Sequence, residues 1–342
     1  MRTKRSNSVT LADVSQDAGV SIMTVSNVVR GRNDLVKLET RRRVEESIAR
    51  LGYRPNLSAR NLRLSEQRSV GIVIADTDAA FLSDPFISRL VSGLSNYLSG
   101  LDYTLDVQGV TPEKFENATI LKKAGNDALC AILCGPRELR KSHFDYLQRL
   151  GQPVVVFQEL FQSQSEKIAL VRQDDLAGGS IIARRLLQQR VRSIVFVRPM
   201  LEWCAIERRE KGLRSALSEA KSVTVKTVIA PTESFEDVAG TMREYLATGV
   251  PDAIVAATDS LAGAVLSACD DHGLNVPKDV LVTGFNGFDV WRYTRPNLTT
   301  IVSPAYEMGR RAGELLLQYL SKGRFSKHNT TFPVSLQMGG SA

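Results

Sequence analysis

The strongest constraint on the fold is an alternation that begins at Ser69, where short apolar segments are separated by helical stretches. Buried strands that alternate with helices predict parallel sheets with helices on both faces, which is an α/β fold. The helical stretches include Pro85–Leu98, Ala177–Gln189, Arg208–Ala220 and Leu261–Asp271. The apolar segments with the length of strands are SVGIVIAD, YTLDV, ALCAILCG, PVVVF, SIVFVRP, TVKTVIA, DAIVAAT and VLVTGF.

The number of strands predicts two lobes. Eight strands exceed what a single doubly wound domain usually contains, and a chain of 342 residues is expected to form two or three domains. The break between the lobes is expected near Val171, before QDDLAGGSIIARRLLQQ. Ligand sites in such lobes lie at the carboxyl ends of the strands.

The excess positive charge of the chain is confined to its first fifth. The whole chain has 44 Lys and Arg against 37 Asp and Glu, a net charge of +7. Residues 1–68 contain 14 of the basic and 7 of the acidic residues, which is again +7, and residues 69–342 are therefore neutral. This distribution indicates a head that binds a polyanion on a neutral body. On charge alone, a solvated basic tail is the alternative.

Within the basic region the sequence predicts two short helices joined by a tight turn. Thr10 is a candidate N-cap for LADVSQDA, and Asp13 completes a capping-box pattern. Gly19 supplies the turn, and Ser21 is a candidate N-cap for IMTVSNVV. A third helix is expected over 38–51. Two helices with such a turn form a helix-turn-helix, whose second helix enters the major groove of DNA.

The stretches VTLADVSQDAGVSIMTVSNVV and TRRRVEESIARLGYRPNLSARNL resemble the DNA-binding head and hinge of the LacI/GalR family of bacterial regulators. The resemblance implies that Ile22, Met23 and Asn27 read bases from the second helix. It also implies that Thr24, Ser26 and Arg41 contact phosphates, and the expected DNA-contacting set of the helices further includes Thr10 and Ser21.

The chemistry of the base-reading positions differs among the three residues. Asn27 is suited to a bidentate contact with adenine. Ile22 and Met23 have no hydrogen-bonding side chain, so they contact a thymine methyl group or fill space. For Met23, packing between the head and the hinge is the alternative. Lys37 is a departure, because relatives usually cap the third helix with Ser or Thr.

Pro55 and Asn56 break the chain after the third helix, and NLSARNLRL follows. Taken alone, this segment is a linker. The resemblance implies a hinge over 56–68 that becomes helical on DNA, with Asn56 in the DNA-contacting set. Leu62 would then wedge between base steps in the minor groove, and Ala59 would lie against the partner subunit.

The body resembles the periplasmic-binding-protein-like core of the same family, through DPFISRLVSGL, DDLAG, ERREKGL, TDSLAGAVL, VTGFNGFDVWRY and LTTIVSPAYEMGRRAGELLL. The resemblance implies a head over 1–55 and two doubly wound lobes that close on a ligand. The first lobe is expected over 69–171 and 299–327, and the second over 172–298 and 328–342.

Seven positions are expected to contact the effector, by the same resemblance. Their aromatic, arginine and amide side chains suit a polyol. Two of them have structural alternatives: Trp203 as an exposed or interface aromatic, and Arg209 in an ion pair with Glu207 or Glu210. Asp259 is expected to cap its helix and not to touch the ligand. The seven are Asp76, Phe86, Glu159, Trp203, Arg209, Phe235 and Asn286.

The resemblance implies a homodimer on a pseudo-palindromic double-stranded DNA operator, controlled by a small-molecule effector. A sugar or sugar acid is the first expectation, and a nucleobase or other non-sugar co-repressor is the alternative. The regulator is expected to act as a repressor, and the ligand is expected either to release it from DNA or to recruit it to DNA.

Other classes of protein account for fewer of these features. Motifs of phosphate-binding loops, serine hydrolases and dinucleotide-binding enzymes are absent from the sequence. An enzyme or a solute-binding protein on the same core is the remote alternative, but neither explains the basic head. MRTKRSNS is not followed by an apolar stretch, so we expect no signal peptide and a cytoplasmic protein. The four cysteines form no CxxC pair and the three histidines are scattered, so neither a metal nor a cofactor is expected.

Overall fold

The computed structural model describes residues 9–29, 31–53, 68–123, 125–218 and 222–342. The chain divides into two compact units, 1–67 and 68–342, and each is considered by itself. In the described part of the chain no helix is both long and apolar enough to span a membrane.

The first unit contains three helices, α1 (Leu11–Ala18), α2 (Ile22–Val29) and α3 (Leu38–Leu51), as the sequence predicts. The capping box at α1 is confirmed: the Asp13 amide donates to Thr10 Oγ1 over 3.3 Å, and the Thr10 amide donates to Asp13 Oδ2 over 2.7 Å. Gly19 ends α1 with a φ of 63°, a left-handed conformation that glycine adopts without strain. The three helices enclose a small apolar core of Val14, Ala18, Val25, Val28, Val44 and Tyr53.

A buried polar contact that the sequence analysis missed joins α1 to α3. Ser47, which is fully buried, donates to Asp17 Oδ2 over 2.5 Å, and Arg50 donates to the same oxygen over 2.5 Å. Lys37 provides no side-chain cap for α3, so this helix start lacks the stabilisation that Ser or Thr would give.

In the second unit, the first sheet contains six parallel strands in the order β11-β5-β4-β3-β1-β2. Four of them are almost wholly buried because helices cover both faces. The strands are β1 (Ser69–Ala75), β2 (Thr104–Val110), β3 (Ala128–Ile132), β4 (Val154–Phe157), β5 (Ile168–Gln173) and β11 (Asn329–Phe332).

The helices of this first lobe are α4 (Pro85–Ser99), α5 (Thr119–Lys122), α6 (Arg137–Arg149) and α12 (Ala305–Lys322). Helices α4 and α12 approach so closely that only glycine fits at two contact points. A Cβ atom on Gly93 would lie 1.9 Å from the carbonyl oxygen of Tyr306, and one on Gly309 would lie 1.9 Å from that of Leu90.

The second sheet has the parallel order β7-β6-β8-β9, and a short antiparallel pair, β10 with β12, adjoins it through an isolated bridge between Thr283 and Thr299. Its strands are β6 (Ser193–Pro199), β7 (Thr224–Ala230), β8 (Ala253–Ala256), β9 (Leu281–Thr283), β10 (Thr300–Val302) and β12 (Ser335–Gln337). The helices are α7 (Asp175–Gln188), α8 (Cys204–Leu217), α9 (Phe235–Leu246), α10 (Asp259–Asp271) and α11 (Val290–Tyr293).

The α/β architecture is confirmed, but the sequence analysis missed four strands and placed two of them in the wrong lobe. Strand β5 runs through the expected break at Val171, and β10, β11 and β12 were not predicted. Within 328–342, which was assigned to the second lobe, β11 pairs with β5 in the first sheet. Within 299–327, which was assigned to the first lobe, β10 lies beside the second sheet. The segment NTTF has no apolar run, so its pairing depends on the open edge of β5 and not on its own pattern.

Candidate nucleic-acid interface and ligand cleft

The start of α2 presents two large apolar side chains to solvent. Ile22 and Met23 are 51% and 68% exposed, whereas Val25 and Val28 of the same helix are buried in the head core. Folding of the head therefore does not require apolar residues at 22 and 23. Ser21 caps the helix, because its Oγ accepts the Thr24 amide over 3.1 Å.

The other expected DNA-contacting residues of α2, Thr24, Ser26 and Asn27, are all half-exposed. The Thr24 hydroxyl shares a 2.9 Å hydrogen bond with Ser21 Oγ. Arg41 pairs through Nε with Glu45 over 2.6 Å, which leaves its terminal nitrogens available to a phosphate. Asn56, Ala59 and Leu62 lie outside the described residues.

A cavity of about 490 Å³ opens where several strands of the two lobes end. Asp76 follows β1, Glu233 follows β7, and Asn286 follows β9, and all three line it. A narrower cavity of about 60 Å³ shares Asp84, Glu233 and Asn286 with the first and is further lined by Phe86, Gln158, Trp203 and Arg209. We call the two cavities together the cleft.

Arg209 is buried at the base of the cleft. Its Nε donates to Asp175 over 2.9 Å, Nη1 to the carbonyl of Ala257 over 2.7 Å, and Nη2 to Asn286 Oδ1 over 3.3 Å. The guanidinium also lies 3.9 Å from the centre of the Phe285 ring. The alternative ion pairs with Glu207 and Glu210 are wrong, because the acidic partner is Asp175.

Asp175 itself is fully buried and connects both lobes. It accepts from Gln158 Nε2 over 3.2 Å and from Gln173 Nε2 over 2.8 Å, in addition to Arg209. Ser303 donates to Gln173 over 2.5 Å. Burial raises the pKa of Asp175, and the charge of Arg209 opposes that shift. Arg209 and Asp175 thus form a buried ion pair within the wall of the cleft.

Asn286 stands in a strained turn that Asp259 holds in place. Asn286 has a φ of 114°, a region that non-glycine residues rarely adopt. Asp259 accepts from the Gly287 amide over 2.8 Å and from the Thr300 hydroxyl over 2.5 Å. The expectation that Asp259 caps α10 is wrong, since Thr258 accepts the Leu261 amide and is the cap.

Trp203 is half-buried and packs against the cores of both lobes. Its Nε1 donates to Glu233 over 2.7 Å, which fixes the ring against the cleft. Burial raises the pKa of Glu233 to about 7, and repulsion from Asp84 adds to this effect. Burial likewise raises the pKa values of Asp76 and Asp84.

Two residues that were expected to contact the effector are not among those that line the cleft. Glu159 is 2% exposed and pairs with Arg140 over 2.8 Å, so it neutralises a buried arginine and is not among the residues that line the cleft. Phe235 is 49% exposed at the start of α9, while its neighbours Glu233 and Ser234 line the cleft.

Arg140 also connects the two lobes. It lies at the start of α6 in the first lobe, and its Nη2 donates to Glu207 of α8 in the second lobe over 2.7 Å. The Gly135 amide donates to the Glu202 carbonyl over 2.8 Å at the same border. These two hydrogen bonds, one between backbone groups and one between charged side chains, join the lobes on this side.

Among the polar residues of the site that the sequence analysis missed are Asp84, Gln158, Asp175 and Glu233. A signal was available for each of them: three follow the ends of β4, β5 and β7, and Asp84 precedes Pro85 at the N-cap of α4. Among the described residues, no group of three His, Cys, Asp or Glu could hold a metal ion. The four cysteines are free and buried.

Both parts of the chain match known sequence families. Residues 10–56 match the bacterial regulatory proteins of the lacI family, and residues 183–342 match the periplasmic binding protein-like domain. Catabolite control protein A of Staphylococcus xylosus is 28% identical over 97% of this chain and 98% of its own length. The ribose operon repressor of Haemophilus influenzae is 27% identical over 90% of this chain and 91% of its own length.

A solved structure has a similar fold over the full length. The complex of the transcriptional regulator CelR with cellobiose superposes with a TM-score of 0.70 at 25% sequence identity. The alignment covers 98% of this chain and 100% of that chain.

Proposed function

Because this chain belongs to the lacI family of bacterial regulatory proteins, we propose that it is a transcriptional repressor whose affinity for its operator is set by a small hydroxylated ligand in the cleft. As a member of the family it is a DNA-binding transcriptional regulator. The repressor role, the ligand class and the residue roles below are our proposal.

The proposal that α2 reads DNA bases rests on the exposure of Ile22 and Met23. Two large apolar side chains on the surface of a small helical head have no packing role there, and the start of a recognition helix is where base edges are contacted. Asn27 would supply the hydrogen bonds to a base, and Thr24, Ser26 and Arg41 would fix the register through phosphates. We propose that Leu62 wedges into the minor groove.

The cleft supports a sugar as the effector. It is lined by aromatic rings together with several hydroxyl, amide and carboxylate groups, the combination that recognises polyols. A relative regulates a ribose operon, and a structural neighbour binds cellobiose. We assign the effector role to Asp76, Asp84, Phe86, Trp203, Arg209, Glu233 and Asn286.

We propose that two copies of the chain bind a pseudo-palindromic operator. Binding of the ligand would change how far the two lobes close on each other, where Arg140 and Asp175 connect them. The change in closure would alter the distance between the hinges of the two subunits. Coupling energies of this kind are about 1–3 kcal/mol, which is a change of roughly 5- to 150-fold in operator affinity. No chemical change of the ligand is involved.

The test is selection of bound genomic fragments by the purified full chain at physiological salt. We expect a few fragments that share a palindrome, and we expect Asn27→Ala to weaken binding to them by about 1–3 kcal/mol through loss of a base contact. Gln16→Ala, an exposed change on α1, is the matched control and should bind normally. Recovery of fragments without a common sequence would contradict specific recognition.

A further inference from the structure

The wall of the larger cavity is acidic. Four carboxylates line it, those of Asp76, Asp78, Asp84 and Glu233, and the described lining residues include no Lys, Arg or His. Arg209 lies in the adjoining narrow cavity, where its charge is matched by Asp175 at 2.9 Å. The cleft as a whole therefore has a negative charge. We call Asp76, Asp84 and Glu233 the acidic wall.

Two other buried carboxylates of the body are each paired with an arginine. Asp175 pairs with Arg209, and Glu159 pairs with Arg140 over 2.8 Å. Asp259 is held instead by a hydroxyl and an amide. Among the described residues, no Lys or Arg nitrogen lies within 4.0 Å of a carboxylate oxygen of the acidic wall.

The acidic wall has hydrogen-bond donors but no cation in contact: Asp84 Oδ1 accepts the amides of Phe86 and Ile87 at the start of α4, and Glu233 accepts from Trp203. Its three carboxyl groups also affect one another. Burial is the largest cause of the raised pKa of all three acidic-wall residues, and the pKa of Glu233 is raised further by Asp84 and Asp76. The charge of Arg209 lowers the pKa values of Asp84 and Glu233 but does not overcome the effect of burial. An anion placed among the three carboxyl groups would be repelled, whereas a cation would be attracted by all three.

Two further features point to a ligand at this wall. Asn286 is 6% exposed and lines both cavities, and its Nδ2 donates to no partner among the described residues. Trp203 is fixed by its bond to Glu233, beside Phe86, so an aromatic surface adjoins the carboxylates. Aromatic rings and carboxylates together bind amines, and an amide donor suits a hydroxyl group.

We propose that the ligand of the cleft carries a protonated amine on a hydroxylated frame, as an amino sugar does, and that sugar phosphates and sugar acids are excluded. The inference rests on the proposed function, because it concerns the same cleft. The acidic wall holds the amine, and Asn286 with Arg209 and its partners orients the hydroxyl groups. A neutral sugar would leave the charges of the acidic wall unmatched.

The test is calorimetric titration of the full chain at pH 7 with matched probes. These are glucosamine, galactosamine and mannosamine, their neutral parents glucose, galactose and mannose, and the anions glucose 6-phosphate and gluconate. We expect at least one amine to bind 10-fold or more tightly than its neutral parent, and neither anion to bind.

Glu233→Gln keeps the acceptor for Trp203 but removes one charge, so it should reduce the preference for the amine by 10-fold or more. Glu236→Gln, an exposed change in the first turn of α9, should leave the preference unchanged. A neutral sugar or an anion that binds as tightly as the matched amine overturns the inference while the proposed function stands. If no probe of any class binds, both the inference and the sugar effector fail, whereas operator selection is unaffected.

Discussion

Glu233 and Asp259 show how the surroundings of single carboxyl groups decide what they do. Both have a raised pKa, about 7 for Glu233 and about 6 for Asp259, and burial is the main cause in each. Asp259 accepts two hydrogen bonds that hold the turn at Gly287, which is a structural role. Glu233 accepts one hydrogen bond and faces the cleft beside Asp84, so its charge is available to a ligand.

A prediction for stability follows from Glu233. Its pKa is higher in the folded state than in the unfolded state, so its contribution to stability is complete below about pH 4.5 and is lost as the pH rises through about 7. Glu233→Gln should therefore be more stable than the unliganded wild type at pH 8 by roughly 1–3 kcal/mol.

Urea unfolding of both proteins at pH 5 and pH 8 measures this difference. The charged or titratable groups that act on Glu233 are Asp76, Asp84, Cys134 and Arg209, and all are retained in the variant. Glu236→Gln is the matched control, and its free energy of unfolding should differ from that of the wild type by the same amount at both pH values. An equal effect of Glu233→Gln at both pH values would contradict the raised pKa.

At the scale of elements, the packing of α7 on α8 builds the base of the cleft. A Cβ atom on Gly179 would lie 2.0 Å from the Arg209 carbonyl, and one on Gly212 would lie 2.0 Å from the Leu176 carbonyl. The two glycines allow the helix backbones to touch. This close approach brings Arg209 of α8 to Asp175 at the start of α7.

Gly212→Ala should force the two helices apart. We expect a loss of about 2–3 kcal/mol in the free energy of unfolding, since the added methyl group meets backbone that cannot move alone. Ligand affinity should fall as well, because Arg209 moves with α8. Gly263→Ala in α10 is the control: no atom lies within 4 Å of its Cβ position, so stability should rise by about 0.5–1 kcal/mol. Similar stability of the two variants would rule out the close packing.

At the scale of the whole molecule, charge separates the two units. The net charge of +7 belongs to residues 1–68, and the body is neutral. Attraction to DNA therefore depends on the head, while the body carries a cleft that is locally negative. DNA and the proposed ligand of the cleft would therefore be attracted by opposite charges, each in a different unit.

Operator affinity should decrease steeply with salt, with a log-log slope near −0.9 for each phosphate contacted. Arg41→Gln should make the slope shallower by about one if Arg41 binds a phosphate. Lys141→Gln is the control, because Lys141 forms an i,i+4 ion pair in the body as Arg41 does in the head. Fluorescence anisotropy of a labelled operator between 50 and 300 mM KCl measures both slopes. An unchanged slope for Arg41→Gln would contradict the proposal that Arg41 contacts a phosphate.

The sequence by itself determined the features that depend on neighbours along the chain. The capping box of Thr10, the helix-turn-helix, the charge of the head and the alternation of strands and helices are all local patterns, and the structure confirms the predicted elements. The candidates Asp76, Phe86, Trp203, Arg209 and Asn286 came from the resemblance of their surrounding motifs to the family, and the structure brings them to one cleft.

Only the tertiary structure decided which side chains meet. Arg209 forms its ion pair with Asp175 and not with the acidic residues of its own helix, and Glu159 forms one with Arg140. Strand β11 pairs with β5 in the first sheet. Asp76 and Glu233 come together across more than a hundred residues. Such pairings are set by the packing of helices on sheets and by the burial of charge, which act between distant segments and leave no periodic trace in the sequence.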